Sequence, residues 1–130
     1  MVKYLLDTHI AIWLFTDSKK LSYKVKNILA DRKFHLAVSI VSAWEVAIKI
    51  SKGGKVADMN GVAVLIDKLC DNGIEILGIT AEEVKIVESL PFIHNDPFDR
   101  LIIATAKNHG ITLISADENI HKYDISCCWN

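Results

Sequence analysis

The sequence predicts an α/β fold built on a parallel sheet, and three observations carry that prediction. Short apolar runs of strand length fall at residues 2–6, 34–38, 74–77 and 111–115. Between them lie segments whose apolar residues recur three and four positions apart, the period of a helix. Ser, Asp, Gly and Pro mark the hand-overs, so strands alternate with helices as in βαβ units, whose strands lie parallel.

The first run, 2–6, ends at Asp7, where strand gives way to an apolar helical segment over 8–15. Asp17-Ser18 breaks that segment. Residues 21–30 carry Leu21, Val25, Ile28 and Leu29 at helical spacing, and 34–38 is the second strand. Ser39 or Ser42 then opens a helix containing Val41, Trp44, Val46, Ile48 and Ile50. Ser42-Ala43-Trp44-Glu45 fits a capping box, in which the Glu side chain returns to the cap N–H. Glu45 and Lys49 are also spaced for an i, i+4 ion pair, although Glu45 sits in an apolar context that favours an inward direction.

Gly53-Gly54 is a break and a flexible joint, and 57–61 reads as a loop. Residues 62–72 form an amphipathic helix closed by Gly73; 74–77 is the third strand. Thr80 and Glu83 make a second capping box, and Leu90-Pro91 ends that helix. Asp96 suits an N-cap and Pro97 the first helical position, with Asp99 in the first turn near the positive end of the helix dipole. The helix they start is almost wholly apolar in its second half, so it is expected to be buried, and Gly110 stops it. A fourth strand over 111–115 runs into Ala116-Asp117, a short turn or helix reaches His121, and 125–129 supplies an edge strand. No repeat, low-complexity tract or long linker divides the chain, so one domain over 1–130 is expected.

A chain of 130 residues can bury an adequate core without disulfides or a structural metal. Cys70, Cys127 and Cys128 show no metal-ligand spacing and read as reduced apolar residues, adjacent Cys127 and Cys128 facing opposite sides of a strand. No apolar run approaches the roughly 18 residues that span a membrane. Asp7 interrupts the N-terminus before a signal-peptide apolar region builds up, so a cytoplasmic location is expected. A net charge of −1 excludes a generic polyanion binder. Cations nevertheless gather at Lys19, Lys20, Lys24, Lys26, Arg32 and Lys33, and again at Lys49, Lys52 and Lys55, either as solvated helix faces or as a local phosphate track.

The chemistry lies in the acids. Parallel sheets bind ligands beyond the carboxyl ends of their strands. Asp7 ends the first strand, Asp117 follows the fourth, and Glu45 lies one to two helical turns beyond the second. The strand-end rule determines Asp99 less. Acids meeting on one rim repel, and a divalent cation removes the conflict. Oxygen ligands without a His or Cys cluster favour Mg²⁺ or Mn²⁺ over zinc, which makes phosphate esters the natural substrate class.

Four blocks resemble the PIN-domain nucleases, and within them the VapC-type ribonuclease toxins of toxin–antitoxin pairs. They are Leu5-Leu6-Asp7-Thr8-His9; Ser39-x-x-Ser42-x-Trp44-Glu45-Val46-Ala47-Ile48-Lys49; His94-x-Asp96-Pro97-Phe98-Asp99-Arg100; and Ser115-Ala116-Asp117. The resemblance implies a three-layer α/β/α sandwich around a parallel sheet of four to five strands. It also implies cleavage of RNA dependent on Mg²⁺ or Mn²⁺, with 5′-phosphate and 3′-hydroxyl products. The family's acids fall on Asp7, Glu45, Asp99 and Asp117, as catalytic residues and metal ligands. Asp99 is preferred to Asp96 because the third acid of the family directly precedes the buried Leu-Ile-Ile-Ala segment. Asp96 then caps, or reaches the metal through water, and Ser115 hydrogen-bonds an acid or the water. A partner antitoxin and a homodimer are implied as well. Of the remaining polar residues, His94 would steady its loop or touch phosphate. Arg100 and Lys49 would contact substrate phosphate or pair with an acid.

Two other readings stand beside this one. A catalytically silent PIN-like module would bind without cutting. A receiver-like signalling domain also gathers acids at strand ends, but it carries adjacent acids after its first strand, where Asp7 is single. A D-x-D phosphatase is disfavoured because the tripeptide here is Asp7-Thr8-His9.

Overall fold

The computed structural model describes residues 3–130, so the expected start of the first strand at Val2 lies outside the described residues. In chain order the elements are β1 (Lys3–Leu6), α1 (Thr8–Thr16), α2 (Tyr23–Ala30), β2 (His35–Ser39), α3 (Ile40–Ser51), α4 (Val62–Asp71), β3 (Glu75–Leu77), α5 (Ala81–Ser89), α6 (Pro97–His109), β4 (Thr112–Ile114) and β5 (Cys127–Cys128). Single 3-10 turns lie at Ser18–Lys20 and Ile120–Lys122.

Every strand pair is parallel, in the order β3-β2-β1-β4-β5. The chain grows outward from β1 to β3, then crosses to the other side of β1 for β4 and β5. That reversal makes the gap between the carboxyl ends of β1 and β4 a topological switch point, where the flanking connections part and leave a crevice. Leu6 pairs with Ile114 there, and the Asp7 N–H donates to the Ile114 carbonyl at 3.1 Å.

Pleating divides the core between two layers of helices. Leu6, Val38, Ile114 and Cys128 pack with Val25, Ile28, Leu65 and Leu69 on one face. Leu5, Ala37, Leu113 and Cys127 pack with Ile102, Ile103 and Ala104 on the other. The result is the three-layer α/β/α sandwich, and neighbouring Cys127 and Cys128 do face opposite sides. Each fully buried leucine contributes roughly 1.5–3 kcal/mol, which fixes β1 and β4 firmly beneath the crevice.

The helix ends follow their capping chemistry. Ser39, not Ser42, caps α3, its Oγ accepting from the Val41 N–H at 3.0 Å. Thr80 and Glu83 form both halves of their box at the start of α5. Asp96 caps α6 through bonds from the Phe98 and Asp99 N–H groups, and Gly110 ends that helix at φ 64°, a left-handed conformation that suits glycine. No described helix is long and apolar enough to cross a membrane.

Candidate active site

Asp7 leaves β1 at the switch point and caps α1, its Oδ1 accepting from the Ile10 N–H at 2.9 Å. It is almost completely buried, at 4% exposure. Burial pushes its carboxyl above the ordinary range, and the Ser115 hydroxyl and Ile10 N–H only partly offset this. Ser115 is itself buried and accepts the Asp117 N–H at 3.0 Å, so one serine sits between the acids that end β1 and follow β4.

Glu45 reaches the rim from α3, and it does so because the expected capping box does not form there. With Ser39 as the cap, Ser42 lies inside the first turn and is fully buried. Its Oγ meets the Thr8 Oγ1 at 2.8 Å. Thr8 Oγ1 donates its only proton to Glu45 Oε1 at 2.9 Å, so Ser42 must be the donor to Thr8. This relay fixes Glu45 toward α1, with no ion pair to Lys49 among the described residues. Burial raises the Glu45 carboxyl above its usual range despite the Thr8 bond, and the charges of Asp96 and Asp7 add to the rise. Sequence reasoning read Ser42 as a cap and gave Thr8 no role. The sequence signal was available in the position of both residues inside the blocks that carry the acids.

Asp99 is the third residue of α6, in the first turn behind the Asp96 cap and Pro97, and lines the same crevice. Burial, then the charges of Asp96, Glu45 and Asp7, push its pKa up to about 7 against the opposing pull of His94. Asp117 behaves differently. Burial works to raise it, but the His94 bond and the Asn119 N–H outweigh that and hold it below the ordinary range. His94 stands between the two acids, with Nε2 at 3.1 Å from Asp99 Oδ2 and 2.9 Å from Asp117 Oδ2. Its Nδ1 accepts the Asp96 N–H at 3.1 Å, so in the neutral ring the proton belongs on Nε2, aimed at the two carboxylates. His94 is therefore a clamp on Asp99 and Asp117, and its proton would have to move before Nε2 could bind a metal.

A cleft of about 260 Å³ is lined by Asp7, Asp99 and Asp117 together with His9, Trp13 and Ala116. Glu45 stands on its shoulder, in an adjoining groove that shares His9 and Trp13 with the cleft. Arg100 is not part of this constellation. The guanidinium turns away from the rim acids and donates to the carbonyls of Pro91 (2.9 Å), Val87 and Leu90 (both 3.1 Å), with weaker bonds to the His94 carbonyl and Tyr123 hydroxyl. Phe92 covers it at 4.3 Å. The expectation of a phosphate contact or a rim ion pair is corrected here. Carbonyls left behind where α5 ends need donors, and a buried Arg supplies several at once. The neighbouring Tyr123 hydroxyl accepts the His94 N–H at 2.8 Å, so the same knot holds the His94 loop.

The donor set fits a hard divalent cation. Asp7, Asp99 and Asp117 line one cleft, the ligand atoms of Asp99, Asp117 and His94 lie within 4.8 Å of one another, and the Asp99 carboxyl is pushed up to about 7 because its charge is expensive beside other acids. None of the three free cysteines, Cys70, Cys127 and Cys128, lines the cleft.

Residues 4–126 match the family model described as the PIN domain. The chain is 28% identical over 124 residues to Ribonuclease VapC22 of Mycobacterium tuberculosis, covering 95% of this chain and 93% of that protein. Among solved structures, VapBC2 from Rickettsia felis, bound to a DNA fragment from its promoter, superposes with a TM-score of 0.75. It is 17% identical, over 99% of this chain and all of that one. DNA-bound VapBC from Salmonella typhimurium gives 0.70 at 14% identity, over 98% of both chains. With the family model covering nearly its whole length, the chain belongs to the PIN domain family.

Proposed function

We propose that this chain is a metal-dependent endoribonuclease and the toxin of a toxin–antitoxin pair. The observation that carries the reading is the cleft at the β1/β4 switch point where Asp7, Asp99 and Asp117 meet, with burial and the neighbouring acids pushing Asp99 up to about 7. A site built only to hold the fold together would satisfy that charge. The similarity to a ribonuclease and to VapBC complexes supports the same reading.

On this reading Asp7, Glu45, Asp99 and Asp117 hold Mg²⁺ or Mn²⁺. When bound, such an ion polarises a phosphoryl oxygen and lowers the pKa of a water that attacks the phosphodiester. The protein's own groups do the positioning. Thr8 holds Glu45, Ser115 spaces Asp7 from Asp117, His94 ties Asp99 to Asp117, and Asp96 fixes the helix that aims Asp99. An antitoxin would silence the site, and two copies would pair in the free toxin; both are part of the proposal.

Purified protein given a mixed pool of RNA is expected to cut it with Mg²⁺ or Mn²⁺ and to stop with EDTA. Mn²⁺ is also expected to raise the melting temperature of the wild type and to do so much less for Asp7→Asn. If Asp7→Asn cuts as fast as wild type, the acid assignment is wrong. If no RNA is cut and no metal binds, the silent-module reading replaces the nuclease.

A further inference from the structure

We infer that the groove beside Glu45 is a docking track for single-stranded nucleic acid, with lysines on its phosphates and Trp13 as the platform for a base. The inference deepens the nuclease reading and rests on it only for what happens in the adjoining cleft. The groove has a volume of about 470 Å³ and is lined by residues of α1, α3 and the chain around 55–57. Lys20, Lys49 and Lys55 all line it, against Asp17 and Glu45. Cleft and groove thus differ in balance: three acids and no Lys or Arg line the cleft, whereas three ammonium groups outnumber two carboxylates in the groove.

Two of those lysines have no acid to neutralise them. Lys20 reaches Asp17 only at 3.8 Å, and no ion pair among the described residues includes Lys49 or Lys55. Their convergence is built by the backbone. Gly53 turns at φ 83°, and the Gly54 N–H folds back onto the Lys49 carbonyl at 3.0 Å. A Cβ at Gly54 would lie 2.8 Å from that carbonyl oxygen, so the return needs glycine. The joint that reads in the sequence as a flexible break is a tight reversal that brings Lys55 back to line the same groove as Lys49.

Trp13 stands where groove and cleft meet and lines both, as does exposed His9. Its ring is braced by Trp129 at 6.3 Å and His9 at 5.7 Å, with the Lys20 ammonium 5.6 Å from its centre. A pre-ordered indole gives a base a stacking surface at little entropic cost. A strand that enters the cleft and continues past the shared His9 and Trp13 runs into the groove whose wall carries Lys20, Lys49 and Lys55. The groove is a channel for one strand, and an A-form duplex offers no unstacked base to Trp13.

The test is anisotropy of a fluorescent single-stranded RNA of about eight nucleotides, with EDTA present so that nothing is cut. The full-length wild type should bind with strong salt dependence. Lys49→Ala with Lys55→Ala should bind about tenfold more weakly and flatten the salt slope by about 1.4, two phosphate contacts at roughly 0.7 each. Lys49→Arg with Lys55→Arg should restore both. Trp13→Leu should weaken binding by roughly five- to hundredfold with the salt slope unchanged, as expected for lost stacking. Melting curves of each variant establish that it is folded, and a pre-formed duplex should bind far more weakly. Unchanged affinity and slope in the folded lysine pair would overturn the track, even if Mg²⁺-dependent cutting persists. RNA binding that depends on Lys49, Lys55 and Trp13 without any cutting would keep the track and sink the nuclease. If polyglutamate displaces the RNA equally well and Trp13→Leu changes nothing, the groove takes an acidic peptide and the base platform is wrong.

Discussion

Asp99 and Glu83 are both removed from water near the start of a helix, and they are opposites. Glu83 is completely buried yet well answered: Thr80 gives its N–H to Oε1, Asn108 its amide at 2.8 Å, and Thr105 a hydroxyl at 3.2 Å that it shares with the Leu101 carbonyl, while His109 lies at 3.3 Å. Burial works to raise this carboxyl, but the bonds from Asn108, Thr80 and Thr105 outweigh it and hold Glu83 below its ordinary range. Asp99 is only partly buried but faces other acids, and its pKa rises to about 7. Burial does not distinguish a site from a strut. Whether the protein supplies the donors does.

The same chemical change is therefore expected to have opposite effects at the two positions. Asp99→Asn should lower RNA cleavage by at least about a hundredfold, by analogy with the loss of groups that support metal sites. It should also stabilise the metal-free protein. With the folded pKa raised, the folded state binds the extra proton between the ordinary Asp value of 3.8 and about 7, so metal-free stability falls as pH climbs through that window. At about pH 8 the Asn variant should melt several degrees above wild type, and the gap should close toward about pH 4. Urea or thermal unfolding in EDTA reads this directly. A lower melting point for Asp99→Asn at about pH 8 would mean that the rim is not strained by like charge.

Glu83→Gln should do the reverse. Losing a buried, multiply bonded carboxylate costs about 2–3 kcal/mol, with metal-dependent cleavage by the folded fraction nearly unchanged. The sign of its pH dependence is also inverted. The folded pKa lies below the usual 4.5, so the stabilisation is present above that value and is lost as pH falls through the lowered one. Unfolding curves at neutral and acid pH should show the wild-type advantage shrinking in acid.

What was legible in the sequence follows the same division. Strand order aside, the fold was readable because each element announces itself locally: Asp96 and Pro97 start α6, Thr80 and Glu83 start α5, Gly73 and Gly110 stop their helices. Of the four acids expected on one rim, Asp7, Asp99 and Asp117 line a single cleft, and Glu45 lines the groove beside it. The direction of each side chain was not legible. Ser42 fits a capping box by spacing, but Ser39 precedes it and takes the cap, which a pattern with two candidate serines cannot decide. Arg100 follows a rim acid directly, yet one residue along a helix is a turn of about 100° away, and its guanidinium meets the carbonyls behind the site. The Thr8 bond to Glu45 spans 37 residues, a distance at which spacing says nothing.

Weaker effects should come from residues that hold the acids without being acids. His94→Ala removes the clamp on Asp99 and Asp117 and should weaken Mn²⁺ binding by about tenfold or more, the usual scale for groups that orient ligands. It should also raise the pKa of Asp117, whose low value depends on that bond. Calorimetric titration with Mn²⁺ gives the first result and carboxyl NMR titration the second. Tighter Mn²⁺ binding without His94 would mean that the ring occupies the cation's place.

Thr8→Val is the smallest and sharpest change. It keeps the shape of the side chain and removes only the hydroxyl that links Ser42 to Glu45, at 2.8 and 2.9 Å. The α1 helix keeps its cap, since Asp7 supplies that bond. Glu45 loses its one hydrogen-bond donor among the described residues, so burial and the neighbouring acids should raise its carboxyl further. Cleavage is then expected to fall by about tenfold at neutral pH, the equivalent of a hydrogen bond to a charged group at the low end of its range, roughly 1.5 kcal/mol. Raising the pH should recover much of the loss, because a carboxyl that is only harder to ionise can still be ionised. A loss that does not depend on pH would show that Thr8 acts by aiming Glu45, and that position, more than charge, is what the relay controls.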